Sequence, residues 1–175
     1  MRDGDGGPVV ARGRIKVDAD RAHDKLRDHL LVDPCLYAGE VARAAVALGA
    51  RTLVVAYDAD DVVLGWDGRA LAPAEVARAR DHVLAPGEEG DDADALRSLG
   101  IAVGAALALG PSFVDVHAGA TRVRFTPRET RATLESAPAP WRSSGSAGAT
   151  ACVHVRRPLG LDLVKRAVRG GPPRA

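Results

Sequence analysis

The alternation of apolar and polar positions predicts helices and strands along most of the chain. Residues 14–17 alternate polar and apolar side chains, as a short edge strand does, and apolar residues at 22, 26 and 30 then follow at helical spacing. Pro34 should end this helix and open the next one over 35–48. Because Glu40 and Arg43 are its only charged residues, we expect that second helix to be largely buried.

The middle of the chain predicts a strand pair and two further helices. Gly49 should cap the preceding helix in the left-handed conformation. Residues 52–57 form a nearly continuous apolar run, which is typical of a central strand, and 62–66 return after an acidic turn at 58–61. A helix over 73–84, an exposed mobile loop over 85–94 and a helix in the later part of 95–109 follow.

The last third predicts further strands. Residues 113–117 and 121–125 alternate as a hairpin, 127–149 form a long connection, 151–155 a final strand and 159–168 a short helix. This order favours an α+β fold: a two-layer sandwich of a mixed, mostly antiparallel sheet with helices on one face. A doubly wound parallel fold is the alternative. We expect one domain over 14–169, with 1–13 and 170–175 as disordered tails.

Composition and charge exclude several classes of partner. The 175 residues contain 24 basic and 23 acidic side chains, so no global field would recruit nucleic acid or an anionic membrane. No apolar run approaches the length of a membrane span, and the N-terminal residues lack the apolar core of a signal peptide. These features predict a cytoplasmic protein. Aromatic residues make up only 3% of the chain, which predicts a core of Ala, Val and Leu.

Cysteine and histidine spacing predicts no metal site. Cys35 and Cys152 lie far apart without a CxxC pattern, and we interpret both as small buried hydrophobes. The histidines show no ligand spacing along the chain; they are at positions 23, 29, 82, 117 and 154. Asp115 and His117 share one face of a predicted strand and could act as an acid–base pair, but we expect an exposed pair without chemistry.

Four segments carry a resemblance to a known family: IKVDADRAHDKLRDHLLVDPCLYAGEVARAAVALGA, WDGRAL, SLGIAVGAALALG and ACVHVRRPLG. In their order and spacing they resemble the N-terminal ATPase domain of the HtpG-type heat-shock chaperones, within the GHKL superfamily. The likeness spans about residues 14 to 168. It implies the α+β sandwich of that superfamily and a nucleotide site between sheet and helices.

The resemblance also implies roles for three positions of the helix over 35–48. Glu40 matches the glutamate that activates the attacking water in that family. Ala44 stands where the family has the asparagine that holds Mg²⁺, and Ala47 stands where it has an aspartate. Because Mg²⁺ demands oxygen ligands, Ala44 predicts that the metal-binding function is lost.

Two loop regions complete the expected nucleotide site. Trp66 replaces the aspartate that accepts the adenine amino group, and Gly68 keeps the first glycine of that loop. Losing such a charge-assisted hydrogen bond costs about 1.5–3 kcal/mol. In the phosphate-binding motif Gly100 matches, whereas Ala102 replaces a glycine. Thr150 corresponds to a threonine near the last strand.

These replacements favour a pseudo-ATPase without a bound cofactor that acts as a protein-interaction module, through a partner protein or self-association. The first alternative is a divergent chaperone-type ATPase that binds ATP and Mg²⁺ and relies on Glu40 and Gly100. The second is a domain that binds another small ligand stacked on Trp66. Gly100 and Gly104 are either remnants of a phosphate loop or sites of close packing, and the latter is our expectation.

Overall fold

The computed structural model describes residues 18–27, 29–84, 90–129, 132–137 and 148–157. In chain order the helices are α1 Ala19–Arg27, α2 Tyr37–Ala47, α3 Pro73–Val76, α4 Ala79–Leu84 and α5 Asp91–Ala108. The strands are β1 Leu53–Tyr57, β2 Asp61–Trp66, β3 Phe113–Ala118, β4 Thr121–Phe125, β5 Thr133–Ser136 and β6 Ala151–Arg156.

The six strands form one sheet in the order β1-β2-β6-β3-β4-β5. Every neighbouring pair is antiparallel. Strand β6 is the last of the described strands in sequence but lies between β2 and β3, so it joins the β1–β2 hairpin to the β3–β4–β5 meander. The prediction of an α+β sandwich is confirmed, and the antiparallel pairing excludes the doubly wound alternative.

The core lies between one face of this sheet and the helices. Val62, Leu64 and Trp66 of β2 point to that face, and strand register places Val153 of β6 and Val116 of β3 beside them. Helix α5 packs against α2 and α4 and buries most of its small side chains in the same cluster. The expected core of Ala, Val and Leu is confirmed.

Local signals set both ends of α2. Asp33 accepts a hydrogen bond from the backbone N–H of Cys35, and a 3₁₀ turn over Pro34–Leu36 leads into the helix. Beyond the helix, Gly49 adopts a φ of +73°, a left-handed conformation that costs glycine little because it has no Cβ. The predictions that Pro34 opens this segment and that Gly49 caps α2 are confirmed. The first helix, however, ends at Arg27, before the predicted stop at Pro34.

Strand β1 was predicted to be central and lies at an edge of the sheet. Among the described strands it pairs with β2 only, and Val54, Val55 and Tyr57 are exposed, Tyr57 by 81%. A continuous apolar run is typical of a strand buried on both faces, but it also occurs where a strand is left uncovered. The run of apolar residues therefore indicated the strand correctly and its position wrongly.

Three other elements differ from expectation. Strand β5 lies inside the predicted connection over 127–149. The predicted helix over 73–84 is interrupted at residues 77–78 and forms α3 and α4. Helix α5 begins at Asp91, inside the predicted loop. Asp91, Asp92 and Asp94 occupy its first turn, where the positive end of the helix dipole stabilises carboxylates.

Some predictions fall outside the described residues. They are the strand over 14–17, the helix over 159–168, the tails at 1–13 and 170–175, and the domain bounds at 14 and 169. In the part of the chain that the structure describes, every helix is too short or too polar to cross a bilayer.

Candidate functional site

The candidate nucleotide-site positions of α2 lie on the side of the helix that faces the core. The Glu40 side chain is largely buried, and Arg43 Nη1 donates a 2.9 Å hydrogen bond to its Oε1. Ala44 is fully buried and Ala47 packs against the same apolar cluster. Ala44, the position that the resemblance assigns to metal binding, and Ala47 therefore present methyl groups to the core.

The loop after β2 brings Trp66, Gly68 and Thr150 together. The Trp66 side chain is 2% exposed and belongs to the hydrophobic core. The Thr150 backbone N–H donates to the Trp66 carbonyl at 2.8 Å, and Thr150 Oγ1 donates to the Gly68 carbonyl at 2.5 Å. The expected proximity of the three positions is therefore present, but their contacts fasten the loop to β6.

Packing explains the glycine in this loop. A Cβ at Gly68 would lie 2.8 Å from the Leu48 carbonyl oxygen at the end of α2. The next N–H, of Arg69, donates to the same carbonyl at 2.8 Å. Asp67 accepts from the backbone N–H groups of Arg51 and Thr52, and these bonds hold the pKa of its carboxyl below the usual range. The loop is thus held against the α2–β1 connection.

Packing of α4 against α5 explains Gly100, one of the two glycines of α5. A Cβ at Gly100 would lie 2.3 Å from the carbonyl oxygen of Ala79 in α4, and one at Gly104 would lie 2.4 Å from Leu30 Cδ1. Ala102 is buried in the core. The backbone contact at Gly100 supports the expectation of close packing there. The contact at Gly104 is with the end of the Leu30 side chain, which can rotate away.

Two cavities lie near these residues. A small one of about 80 Å³ adjoins Trp66 and is lined by residues including Thr52, Val54 and Asp67. An open one of about 620 Å³ lies between Arg69, α4 and the beginning of α5. Ligand pockets typically have about 300–1,000 Å³. Only the second of these two therefore has the size of a ligand site.

The lining of the larger cavity is acidic. Glu75, Asp91 and Asp92 contribute carboxylates, and Arg69 forms an ion pair with Asp92. A helix N-terminus attracts anions, but the carboxylates in the first turn of α5 already occupy that favourable field. A phosphate group would therefore meet negative charge at this end of the helix.

The opposite side of the sheet, here called the polar face, carries a second group of functional side chains. Asp115 and His117 point to it from β3, and His154 lies opposite Asp115 on β6. The expectation of an exposed Asp115–His117 pair is wrong, because each residue is only 2% exposed. Arg124 donates to both oxygens of Asp115 at 2.7 Å.

Burial sets the protonation of the polar face. Removal from water disfavours the charged imidazole and lowers the pKa of His117 to about 4. Cys152, the cross-strand partner of His117, is fully buried, and burial raises the pKa of its thiol far above the usual range. Cys152 is thus the small buried residue that we predicted, whereas Cys35 is exposed, which corrects the prediction for that residue.

Sequence reasoning missed the convergence of the histidines. Asp115, His117 and His154 each offer a ligand atom, and these atoms all lie within 4.8 Å of one another. His117 and His154 are 37 positions apart in sequence, and only the pairing of β3 with β6 brings them together. The alternation of Asp115 and His117 was the available signal, but the partner strand could not be identified from spacing.

Comparisons with known proteins give a weak likeness to solved structures. No protein-family model matches the chain, and no curated protein sequence matches it. Among solved structures, the chain is similar to the B subunit of the DNA gyrase from Myxococcus xanthus, with a TM-score of 0.48 and 19% sequence identity. The alignment covers 84% of this chain and 48% of the gyrase chain, so the chain spans about half the length of that subunit. A likeness at this TM-score and identity assigns neither a family nor a role, and kinship with the HtpG-type chaperones stays a prediction.

Proposed function

We propose that this domain is a protein-interaction module that no longer binds nucleotide, on the architecture of the HtpG-type ATPase domains that its sequence resembles. The observation that carries the proposal is the burial of Trp66, which stands where that family binds adenine through an aspartate. An indole has no acceptor for the adenine amino group. Because only 2% of the surface of Trp66 is exposed, its ring is also too buried to stack on a ligand.

The remaining positions support the same proposal. Ala44 and Ala47 offer no oxygen for Mg²⁺, which requires near-octahedral oxygen ligation. Ala102 adds a methyl group where the family's backbone approaches phosphate, and it is buried in the core. The buried carboxylate of Glu40 is paired with Arg43, and a general base acts only when its substrate lies within reach.

The edge strand β1 supports the interaction part of the proposal. Leu53, Val54, Val55 and Tyr57 are exposed, and β2 is the only described strand that pairs with β1. An uncovered edge presents backbone N–H and C=O groups to which an extended segment of another chain can pair. Exposed apolar side chains on the same strand would add buried area to such a contact. The partner can be another protein or a second copy of the chain.

Thermal melting with and without Mg-ATP tests the loss of nucleotide binding. A ligand present at 100 times its Kd stabilises the native state by about 2.7 kcal/mol. For a domain of this size that corresponds to a rise of about 5–10 °C in the melting temperature. We expect the melting temperature to stay constant up to millimolar Mg-ATP. A rise that grows with ATP concentration would overturn the proposal.

Turnover measurements separate the proposal from the divergent ATPase. That alternative predicts ATP hydrolysis by the wild-type chain that is lost in Glu40→Ala. The proposal predicts that both proteins hydrolyse ATP no faster than a buffer blank. A Val46→Ser variant, changed at an exposed position of the same helix outside the candidate nucleotide positions, controls for contaminating hydrolases in the preparations.

A further inference from the structure

The polar face of the sheet holds three potential metal ligands on two adjacent strands. Asp115 and His117 are two residues apart on β3 and therefore share a face, and His154 is the cross-strand partner of Asp115 on β6. Their ligand atoms lie within 4.8 Å of one another. Two atoms bound to one tetrahedral zinc ion lie about 3.3–3.6 Å apart, since each bond is about 2.0–2.2 Å long. Side-chain rotations that bring the ligand atoms about 1 Å closer together would therefore place all three on one ion.

Neighbouring side chains already orient two of the three ligands. His154 Nε2 donates to Asp61 Oδ1 at 2.7 Å, and Arg156 holds the other oxygen of Asp61 at 2.9 Å. A histidine that ligates a metal usually donates its other ring N–H to a carboxylate in this way, which leaves Nδ1 for the ion. The two hydrogen bonds from Arg124 fix the carboxylate of Asp115.

We propose that Asp115, His117 and His154 bind a divalent transition metal ion of the zinc type. Two imidazoles and one carboxylate suit zinc and its first-row neighbours, whereas Mg²⁺ and Ca²⁺ prefer oxygen ligands throughout. Three protein ligands leave one position of a tetrahedral ion for water or another small ligand. This site lies on the face of the sheet opposite the helices, so it is independent of the loss of nucleotide binding proposed above.

The surrounding charges permit a cation here. Three arginines share the polar face, and each has an acidic neighbour: Arg124 pairs with Asp115, and Arg156 with Asp61. Arg122 pairs with Glu135, and its Nε lies 3.9 Å from Asp115. A carboxylate has lone pairs on both oxygens beyond those used by one arginine, so Asp115 can ligate a metal while it keeps a bond to Arg124. The site is also shielded from water, because its two β3 ligands are buried.

Refolding in the presence of metal tests the site. Burial of the ligands makes direct uptake slow, so the full chain carrying Cys35→Ser is unfolded with chelator and refolded with equimolar Zn²⁺ or Co²⁺. After desalting, we expect stoichiometric metal and, for Co²⁺, the visible absorption of a four- or five-coordinate ion. The Cys35→Ser change removes the exposed thiol as a competing ligand.

Variants assign the ligands. His117→Gln and His154→Gln should each lower zinc affinity at least tenfold, and Asp61→Ala should lower it about 10- to 100-fold as the loss of an orienting group does. His29→Gln replaces an exposed histidine outside the cluster and should bind metal like the parent. His154→Gln keeps the test valid if His117→Gln fails to fold, because His154 is less buried.

Three results would overturn the proposal. The first is a refolded parent protein without retained zinc. The second is a loss of binding in His29→Gln as large as in the two ligand variants. The third is a thiolate-to-cobalt charge-transfer band, which would show that a cysteine ligates the ion and that the three-residue assignment is wrong.

Discussion

Replacing Gly100 with alanine tests whether this glycine serves packing or phosphate binding. Alanine raises the intrinsic stability of a helix by about 1 kcal/mol relative to glycine. At Gly100, however, the new Cβ would lie 2.3 Å from the Ala79 carbonyl oxygen, 2.8 Å from its carbon and 2.9 Å from Val83 Cγ2. Two of these three atoms belong to the backbone, so α4 and α5 must move apart rather than one side chain rotate.

The magnitude follows from these two opposing effects. Overpacking typically costs about 1–3 kcal/mol, and backbone contacts this short favour the upper end. After the gain in helix propensity, Gly100→Ala should lower the free energy of unfolding by about 2 kcal/mol. For this chain length the melting temperature should fall by about 4–8 °C.

Gly39 provides a matched control. It lies in α2, is exposed, and a Cβ there would meet nothing within 4 Å. Gly39→Ala should therefore raise the free energy of unfolding by about 0.5–1 kcal/mol. Urea denaturation followed by circular dichroism measures the free energy of unfolding of both variants. An unchanged slope of that free energy against urea concentration shows that the surface exposed on unfolding is unchanged. If Gly100→Ala stabilises the protein as Gly39→Ala does, the packing explanation of Gly100 is wrong.

Three further predictions concern other parts of the molecule. Thr150→Val removes the hydrogen bond to the Gly68 carbonyl and should lower the free energy of unfolding by about 0.5–1.5 kcal/mol in urea denaturation; an unchanged midpoint would show that this bond adds no stability. Val55→Lys should abolish any self-association seen by light scattering, whereas Leu134→Lys, on the strand at the other edge of the sheet, should not. Equal effects of the two variants would exclude β1 as the surface through which two copies associate. The depressed pKa of His117 means that the unfolded chain binds more protons between pH 6.5 and about 4, so the metal-free protein should lose stability as the pH falls through that window. Melting temperatures across the window check this, and a His117→Gln variant with an unchanged pH dependence would refute it.

Local patterns in the sequence were sufficient for the main elements of the fold. The cap at Gly49, the turn between β1 and β2 and the β3–β4 hairpin each depend on residues close together in the chain. The small number of aromatic residues correctly predicted that the core consists mainly of Ala, Val and Leu side chains. What local patterns could not supply was the order of strands in the sheet, because that order depends on contacts between distant segments.

The errors share this physical cause. The apolar run of β1 predicted a central strand, but a central strand needs a neighbour on both sides. Among the described strands, β1 has a neighbour on one side only. Asp115 and His117 were expected to be exposed because alternation shows which residues share a face and not which face is covered. Strand β5 was missed because its four residues are all exposed, so the pattern gave no sign of a buried side.

At the candidate nucleotide positions, the resemblance identified the replaced residues, and the structure shows what surrounds them. Trp66, Ala44 and Ala102 were expected to be chemically inert, and each lies in the core. The polar face could not be predicted in the same way, since no motif joins His154 to the β3 residues.

The central place of β6 has a consequence for the synthesis of the protein. The β1–β2 hairpin and the β3–β4–β5 meander share no strand pairing until residues 151–156 lie between them. During translation β2 and β3 each keep an open edge until residues 151–156 have been made, and such edges can pair with other nascent chains. A chaperone that shields these two strands would therefore matter most just before β6 leaves the ribosome.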